Sequence, residues 1–205
     1  MLTARTVRRV LSIAALCALG GCGMLSPAPE KLFPATTDFV GPPAPSPMKA
    51  AGAAPHAPSV VERQNAYARY IRRRFKVDSE TASQIVKASS SAGARFRIEP
   101  ALLLAIMAVE SSYDPHAFNG TDVGLMQVNP HLHADKVAQV GGGDALYEID
   151  KNIYVGAWVL REIRNRSPSM REALLHYSGS RRLGRKYPDR VEEQRLALER
   201  QAGVS

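Results

Sequence analysis

Pro100-Ala-Leu-Leu-Leu-Ala-Ile-Met-Ala-Val-Glu110-Ser-Ser-Tyr-Asp-Pro115 is apolar without interruption from Ala101 to Val109 and then meets a carboxylate. Nine apolar residues are too many for a half-exposed strand, and a helix that is apolar on every side must be central and buried. Pro100 suits the first helical turn, and Pro115 disfavours helical geometry at Asp114, so the helix is expected to end about Glu110. Two readings of Glu110 follow. In one it frays into solvent, which its residue type favours. In the other, desolvation and the negative end of the helix dipole both favour its protonated form, and it serves as a general acid.

Outward from this segment the signals remain helical. Val60 to Lys76 sets Val60, Ala68, Ile71 and Phe75 near one face and Arg69, Arg72, Arg73 and Arg74 elsewhere. Asp78 or Ser79 can cap a second helix running through Ala92 and ending near Gly93. Further helices are expected at about Ile149 to Arg166, from Pro168 to His176 with Pro168 at the start, and from Pro188 to Gln201. No stretch alternates like a strand for long, and no internal repeat is visible. Residues 60–205 therefore read as one mainly α domain.

The first 59 residues read differently. Arg5, Arg8 and Arg9 precede the apolar run Val10 to Leu19, which is too short to span a bilayer and has the form of an export signal over residues 1–21. Leu19-Gly20-Gly21-Cys22 resembles the lipobox of bacterial lipoproteins, which implies cleavage before Cys22 and a lipid on that residue. The alternative is an uncleaved apolar leader with an incidental cysteine. Residues 22–59 hold nine of the 14 prolines and few large apolar side chains, so they read as a disordered tether. Fully extended, such a tether reaches roughly 100 Å. Gly23, where an Asp would favour inner-membrane retention in Gram-negative sorting, points to the periplasmic face of the outer membrane. The only other cysteine, Cys17, lies in the signal, so no disulfide or thiolate metal site is expected in the domain.

The chain has 205 residues, 27 basic against 19 acidic, for a formal charge of +8. That surplus suits a polyanionic partner of either kind, cell wall or nucleic acid. An exported, lipid-anchored protein whose arginines carry no interleaved aromatics is not expected to bind nucleic acid. His131 and His133 stand close together without a matching carboxylate spacing, so no metal and no cofactor is expected.

Four blocks recur in order: the Pro100 to Pro115 segment, then Gly124-Leu-Met-Gln-Val-Asn-Pro130, then Asn152-Ile153 with Gly156 and Leu160, then His176-Tyr-Ser-Gly179. Together, over roughly Asp78 to Val191, they resemble the soluble lytic transglycosylase (SLT) domain family. The resemblance implies a goose-type lysozyme-like α fold acting on peptidoglycan glycan strands. It implies cleavage of the β-1,4 bond between N-acetylmuramic acid and N-acetylglucosamine, with the muramoyl O6 attacking C1 to leave a 1,6-anhydro end. Glu110 matches the single catalytic acid, which protonates the leaving oxygen and then takes the O6 proton. No second carboxylate recurs in these blocks as a nucleophile, so the substrate acetamido group would stabilise charge at C1.

Other assignments follow from the same resemblance. Ser111 is placed beside the acid, to orient substrate or carboxyl, and Gln127 can both donate to and accept from a sugar. Gly124 permits close backbone approach, and Met126 fits either cleft wall or core. Tyr177 is the motif tyrosine expected to hold the acid, and Tyr187 is a second cleft tyrosine or surface packing. The chain departs from the family in Ser178, where an Asn is common, and in Asn119 to Val123. That segment looks more like the transglycosylases that open the wall for envelope machinery. Arg181, Arg182 and Arg185 are candidates to face stem-peptide carboxylates. Two other functions keep the same fold: a hydrolytic muramidase, and a noncatalytic wall-binding lipoprotein.

Overall fold

The computed structural model describes residues 57–179 and 184–203; the signal, Cys22, the tether up to residue 56, Arg181 and Arg182 lie outside them. Seven α-helices stand among the described residues: α1 (Val60–Phe75), α2 (Ser79–Phe96), α3 (Pro100–Glu110), α4 (Ala134–Val140), α5 (Ile149–Asn165), α6 (Met170–Tyr177) and α7 (Tyr187–Gln201). Short 3-10 turns at Gly143–Tyr147 and Gly184–Lys186 precede α5 and α7. No strand occurs among the described residues, so the mainly α expectation holds.

The apolar segment is the axis of the fold. Every residue from Ala101 to Ala108 is buried, and α3 packs between α2 and α7. Its leucine, isoleucine and methionine side chains each contribute about 1.5–3 kcal/mol by leaving water. Helix α7 runs antiparallel along it, as two contacts fix: Arg195 lies 3.5 Å from Glu99 before the start of α3, and Tyr187 meets Glu110 at its end. Helix α5 packs on α2 and α6. The short α4 is tied to α5 by buried Lys136, whose Nζ lies 3.0 Å from Glu162 and over the Trp158 ring.

Several boundaries differ from the sequence expectation. Helix α2 does not stop at Gly93 but runs one turn further, to Arg97 in a left-handed conformation (φ 55°). Gly93 is needed because the chain folds back over it: a Cβ there would lie 2.6 Å from the Ile98 carbonyl oxygen. Helix α6 begins at Met170, since the Ser169 hydroxyl accepts from the Glu172 amide and caps it, leaving Pro168 outside. Val60 is 61% exposed, and the buried stripe of α1 is instead Ala66, Tyr67 and Ile71. Helix α4 carried no expectation, because seven residues show too few turns for a period to emerge.

Candidate active site

The end of α3 is shaped by its own backbone more than by Pro115. Ser111 N–H donates to the Met107 carbonyl, and Ser112 (φ 52°) and Tyr113 (φ 65°) then both take the left-handed conformation. Two consecutive non-glycine residues there are unfavourable, and such strain persists only where surroundings over-determine it. The anchor is Tyr113, 1% exposed, whose ring meets Phe75 of α1 edge-on at 4.8 Å. Its buried hydroxyl has no hydrogen-bond partner. Glu110, on the last turn, is thereby held half-buried at the edge of the core.

Facing it is the loop 123–128, closed on itself by reciprocal hydrogen bonds between Val123 and Val128 of 2.9 and 3.0 Å. Two residues of α5, four apart and so on one face, fix this loop. Asn152 is 1% exposed; its Nδ2 donates to the Val123 and Leu146 carbonyls at 2.9 and 2.8 Å, and its Oδ1 accepts from Met126 N–H at 2.8 Å. Gly124 must lack a side chain, because its φ is 75° and a Cβ would stand 2.2 Å from Asn152 Nδ2. Gly156 leaves room for Met126, whose Sδ would lie 2.6 Å from an added Cβ. Asn152 and Gly156 were quoted in the sequence blocks without a role; a polar residue and a glycine one turn apart on an otherwise apolar face was the signal.

The expected site residues fall into two groups. The Ser111 hydroxyl lies 2.8 Å from the Leu125 carbonyl and 3.2 Å from that of Met107, so it ties α3 to the loop. Met126 is wholly buried, with its thioether packed against Gly156 and its carbonyl accepting from Tyr177. Gln127 (φ 49°) donates through Nε2 to the Ala117 and Gly124 carbonyls at 3.2 and 2.9 Å, so its amide nitrogen is committed to the loop. Ser178 turns its hydroxyl to the Leu175 carbonyl at 3.0 Å.

The two tyrosines make different contacts. Tyr177 donates to the Met126 carbonyl at 3.0 Å and so braces the loop. Tyr187, 2% exposed at the start of α7, donates to Glu110 Oε1 at 2.6 Å. Burial, reinforced by the Glu110 charge, pushes both phenols well above their ordinary range, so both remain hydrogen-bond donors. Asp122, whose charge also reaches Tyr177, is engaged within its own turn by Asn129, Asn119 and Thr121. The arrangement presents a carboxyl that accepts from the Tyr187 phenol, beside a loop whose shape is set from behind.

Arg185 is exposed on the turn before α7. Among the described residues no group of three or more His, Cys, Asp and Glu could hold a metal ion, and no helix is long and apolar enough to cross a membrane.

The pattern that defines the transglycosylase SLT domain matches residues 87–195, which includes every element of this site. The chain is 36% identical over 81 residues to a membrane-bound lytic murein transglycosylase C of Serratia proteamaculans (strain 568), covering 36% of this chain and 23% of that protein. It is 34% identical over 90 residues to a transglycosylase of Enterobacteria phage PRD1, covering 43% and 32%. A membrane-bound lytic murein transglycosylase C of Yersinia pestis (strain Pestoides F) is 35% identical over 79 residues, covering 35% and 22%. The chain thus aligns with less than a third of the length of each of these relatives.

Proposed function

We propose, from the premise that this chain belongs to the transglycosylase SLT domain family, that it is a peptidoglycan lytic transglycosylase with Glu110 as its single acid and base. The observation that carries this reading is the 2.6 Å hydrogen bond from Tyr187 to Glu110 Oε1 at the end of a buried apolar helix. A phenol that stays protonated fixes the carboxyl in one orientation, which a general acid needs and a merely solvated carboxylate does not. The relatives named as lytic murein transglycosylases support the substrate.

In the proposed reaction the protonated Glu110 gives its proton to the glycosidic oxygen as the C1–O4 bond breaks. The muramoyl acetamido oxygen stabilises C1 in the interval. The C6 hydroxyl then attacks C1, and the Glu110 carboxylate takes its proton, which restores the acid and leaves a 1,6-anhydro end. No water is consumed. The engagement of Asp122 by three neighbours agrees with a scheme that asks nothing of a second carboxylate. Tyr187 positions the acid, while Tyr177, Ser111 and Asn152 hold the loop that shapes the sugar site.

The domain reaches the wall, in this reading, from a lipid on Cys22 at the periplasmic face of the outer membrane, with 22–59 as tether. Incorporation of labelled fatty acid that is lost in Cys22→Ser is the expected result. The activity is tested by digesting purified peptidoglycan with the full chain and with Glu110→Gln, followed by mass spectrometry. Muropeptides lighter by one water than their reducing counterparts, absent with the variant, are expected. Reducing ends would make the protein a hydrolase, and wall binding without cleavage would make it a binding lipoprotein.

A further inference from the structure

A groove of about 1180 Å³ opens between α2 and the start of α5, and neither Glu110, Gln127, Tyr177 nor Tyr187 lines it. It lies on the other side of α5 from the loop 123–128. Asn152 faces that loop, whereas Tyr154, roughly 200° further round the helix, faces the groove. The cavity is as large as the sites that take drug-sized ligands or larger. The reaction proposed above makes no use of it.

We infer that this groove binds a second glycan segment of peptidoglycan, separate from the one cut at Glu110; the choice of polymer rests on the function proposed above. Flat rings line it: His116, Tyr147 and Tyr154. His116 and Tyr147 stack with ring centroids 6.0 Å apart and planes 27° apart, and Tyr147 is 36% exposed. Tyr154 also lines the groove, backed by Phe96 edge-on at 5.0 Å, which stacks in turn with Trp158 at 6.3 Å; Phe96 and Trp158 stand behind the lining. Tyr147 closes the 3-10 turn before α5 and Tyr154 lies on α5 itself, so the two rings reach the groove from successive elements. Pyranose rings present apolar C–H faces to aromatic surfaces and hydroxyls at their rims. Gln84, Ser91 and Gln139, also in the lining, supply amides and a hydroxyl for those rims.

The charges on the groove walls are unequal. On α2 the charged lining residues are Lys87 and Arg95, and neither forms an ion pair among the described residues. The α5 wall carries Glu148, Asp150 and Lys151, of which Glu148 and Lys151 pair at 2.9 Å. The α2 wall, with Lys87 and Arg95 beside Gln84 and Ser91, offers cations and hydrogen-bonding groups together, which suits stem-free glycan whose alternate sugars carry lactyl carboxylates. Holding a neighbouring strand here converts encounter at Glu110 into a local event, raising residence on the insoluble wall without altering the chemistry.

The test uses the full chain carrying Glu110→Gln, so that binding is read without cleavage. Sedimentation with glycan strands stripped of stem peptides is compared before and after adding Tyr147→Ala with Lys87→Glu. The expected result is about tenfold weaker binding, with an unchanged melting temperature. The same pair in the otherwise native chain is expected to slow digestion of whole sacculi while leaving cleavage of a short soluble muropeptide chain unaltered. Gln84→Ala with Ser91→Ala is a milder second variant, should the first pair fail to fold, and is expected to weaken strand binding severalfold. Unchanged strand binding in a folded variant overturns the inference. So does a loss confined to stem-bearing wall, which would make the groove a peptide site. Strand binding that depends on the groove in a chain that never cleaves wall would instead sink the transglycosylase reading and leave this one standing.

Discussion

Glu110 is approached from two sides that are built on opposite plans. On the loop side, 123–128, the recorded polar contacts run to backbone: Asn152 to three peptide groups, Tyr177 to the Met126 carbonyl, Gln127 to two carbonyls, and Ser111 to the Leu125 carbonyl. On the α7 side the side chain of Tyr187 donates to the acid itself. The loop side makes shape, and its energy is spread over many groups that fail together. The α7 side makes orientation, through a bond to the carboxyl itself. Substitutions on the first side should therefore register as lost folding, and on the second as lost turnover with the fold intact.

The sharpest break is expected at Gly124→Ala. The new methyl meets Asn152 Nδ2 at 2.2 Å and the Leu146 carbonyl at 2.5 Å, in a backbone at φ 75°. A loss of about 3 kcal/mol or more is expected in a denaturant titration. Gly120→Ala isolates the backbone term, since φ there is 99° but nothing lies within 4 Å of the added carbon. It should cost about 1–2 kcal/mol. If the two variants prove equal, crowding against Asn152 is not what fixes the loop. Asn152→Ala comes next: it strands one buried amide and two carbonyls, at a cost of about 2–4 kcal/mol, and should lower the melting temperature.

Tyr187→Phe tests the other side. It removes the donor to Glu110 while keeping the ring in the core, so stability should move by about 1 kcal/mol. The turnover number should fall about 10- to 100-fold with KM little changed, within the range that positioned acid–base catalysis supplies. Tyr177→Phe, by contrast, should cost activity only in step with its effect on the melting temperature. If Tyr177→Phe has the larger effect on turnover at equal stability, the division of labour between the two tyrosines is reversed.

This division also marks what sequence could and could not carry. Helix α3 was legible because an apolar run without period admits one placement, and Glu110 was legible as the charge that closes it. The roles of the two tyrosines were not, because which hydroxyl reaches the acid depends on the antiparallel pairing of α7 with α3. That pairing is decided by contacts such as Arg195 with Glu99, 96 positions apart in the chain. The engagement of Gln127 was hidden for a related reason: an amide that could bind a sugar is chemically the same as one whose nitrogen bonds the Ala117 carbonyl. Gly93 was read as a stop because glycine often ends helices, whereas here close approach of the Ile98 carbonyl demands it inside one.

The smallest expected effect carries the opposite sign. Tyr113 supports the strained turn beneath Glu110 by its ring alone, since its hydroxyl is buried without a partner. Tyr113→Phe removes a polar group that lost its water on folding, so stability should rise by about 1 kcal/mol, with activity unchanged. Burial first, and the Tyr70 field second, hold this phenol well above its ordinary range. The unfolded chain releases the proton near pH 10, and the folded one retains it. Above that pH the native state binds more protons than the unfolded state, so stability must fall as pH rises. The variant should therefore gain most over the native chain at alkaline pH, as paired denaturant titrations at pH 7 and pH 10.5 would show. An equal gain at both values would mean that Tyr113 ionises in the fold as readily as in the open chain, and that the turn beneath the acid is wetter than its burial implies.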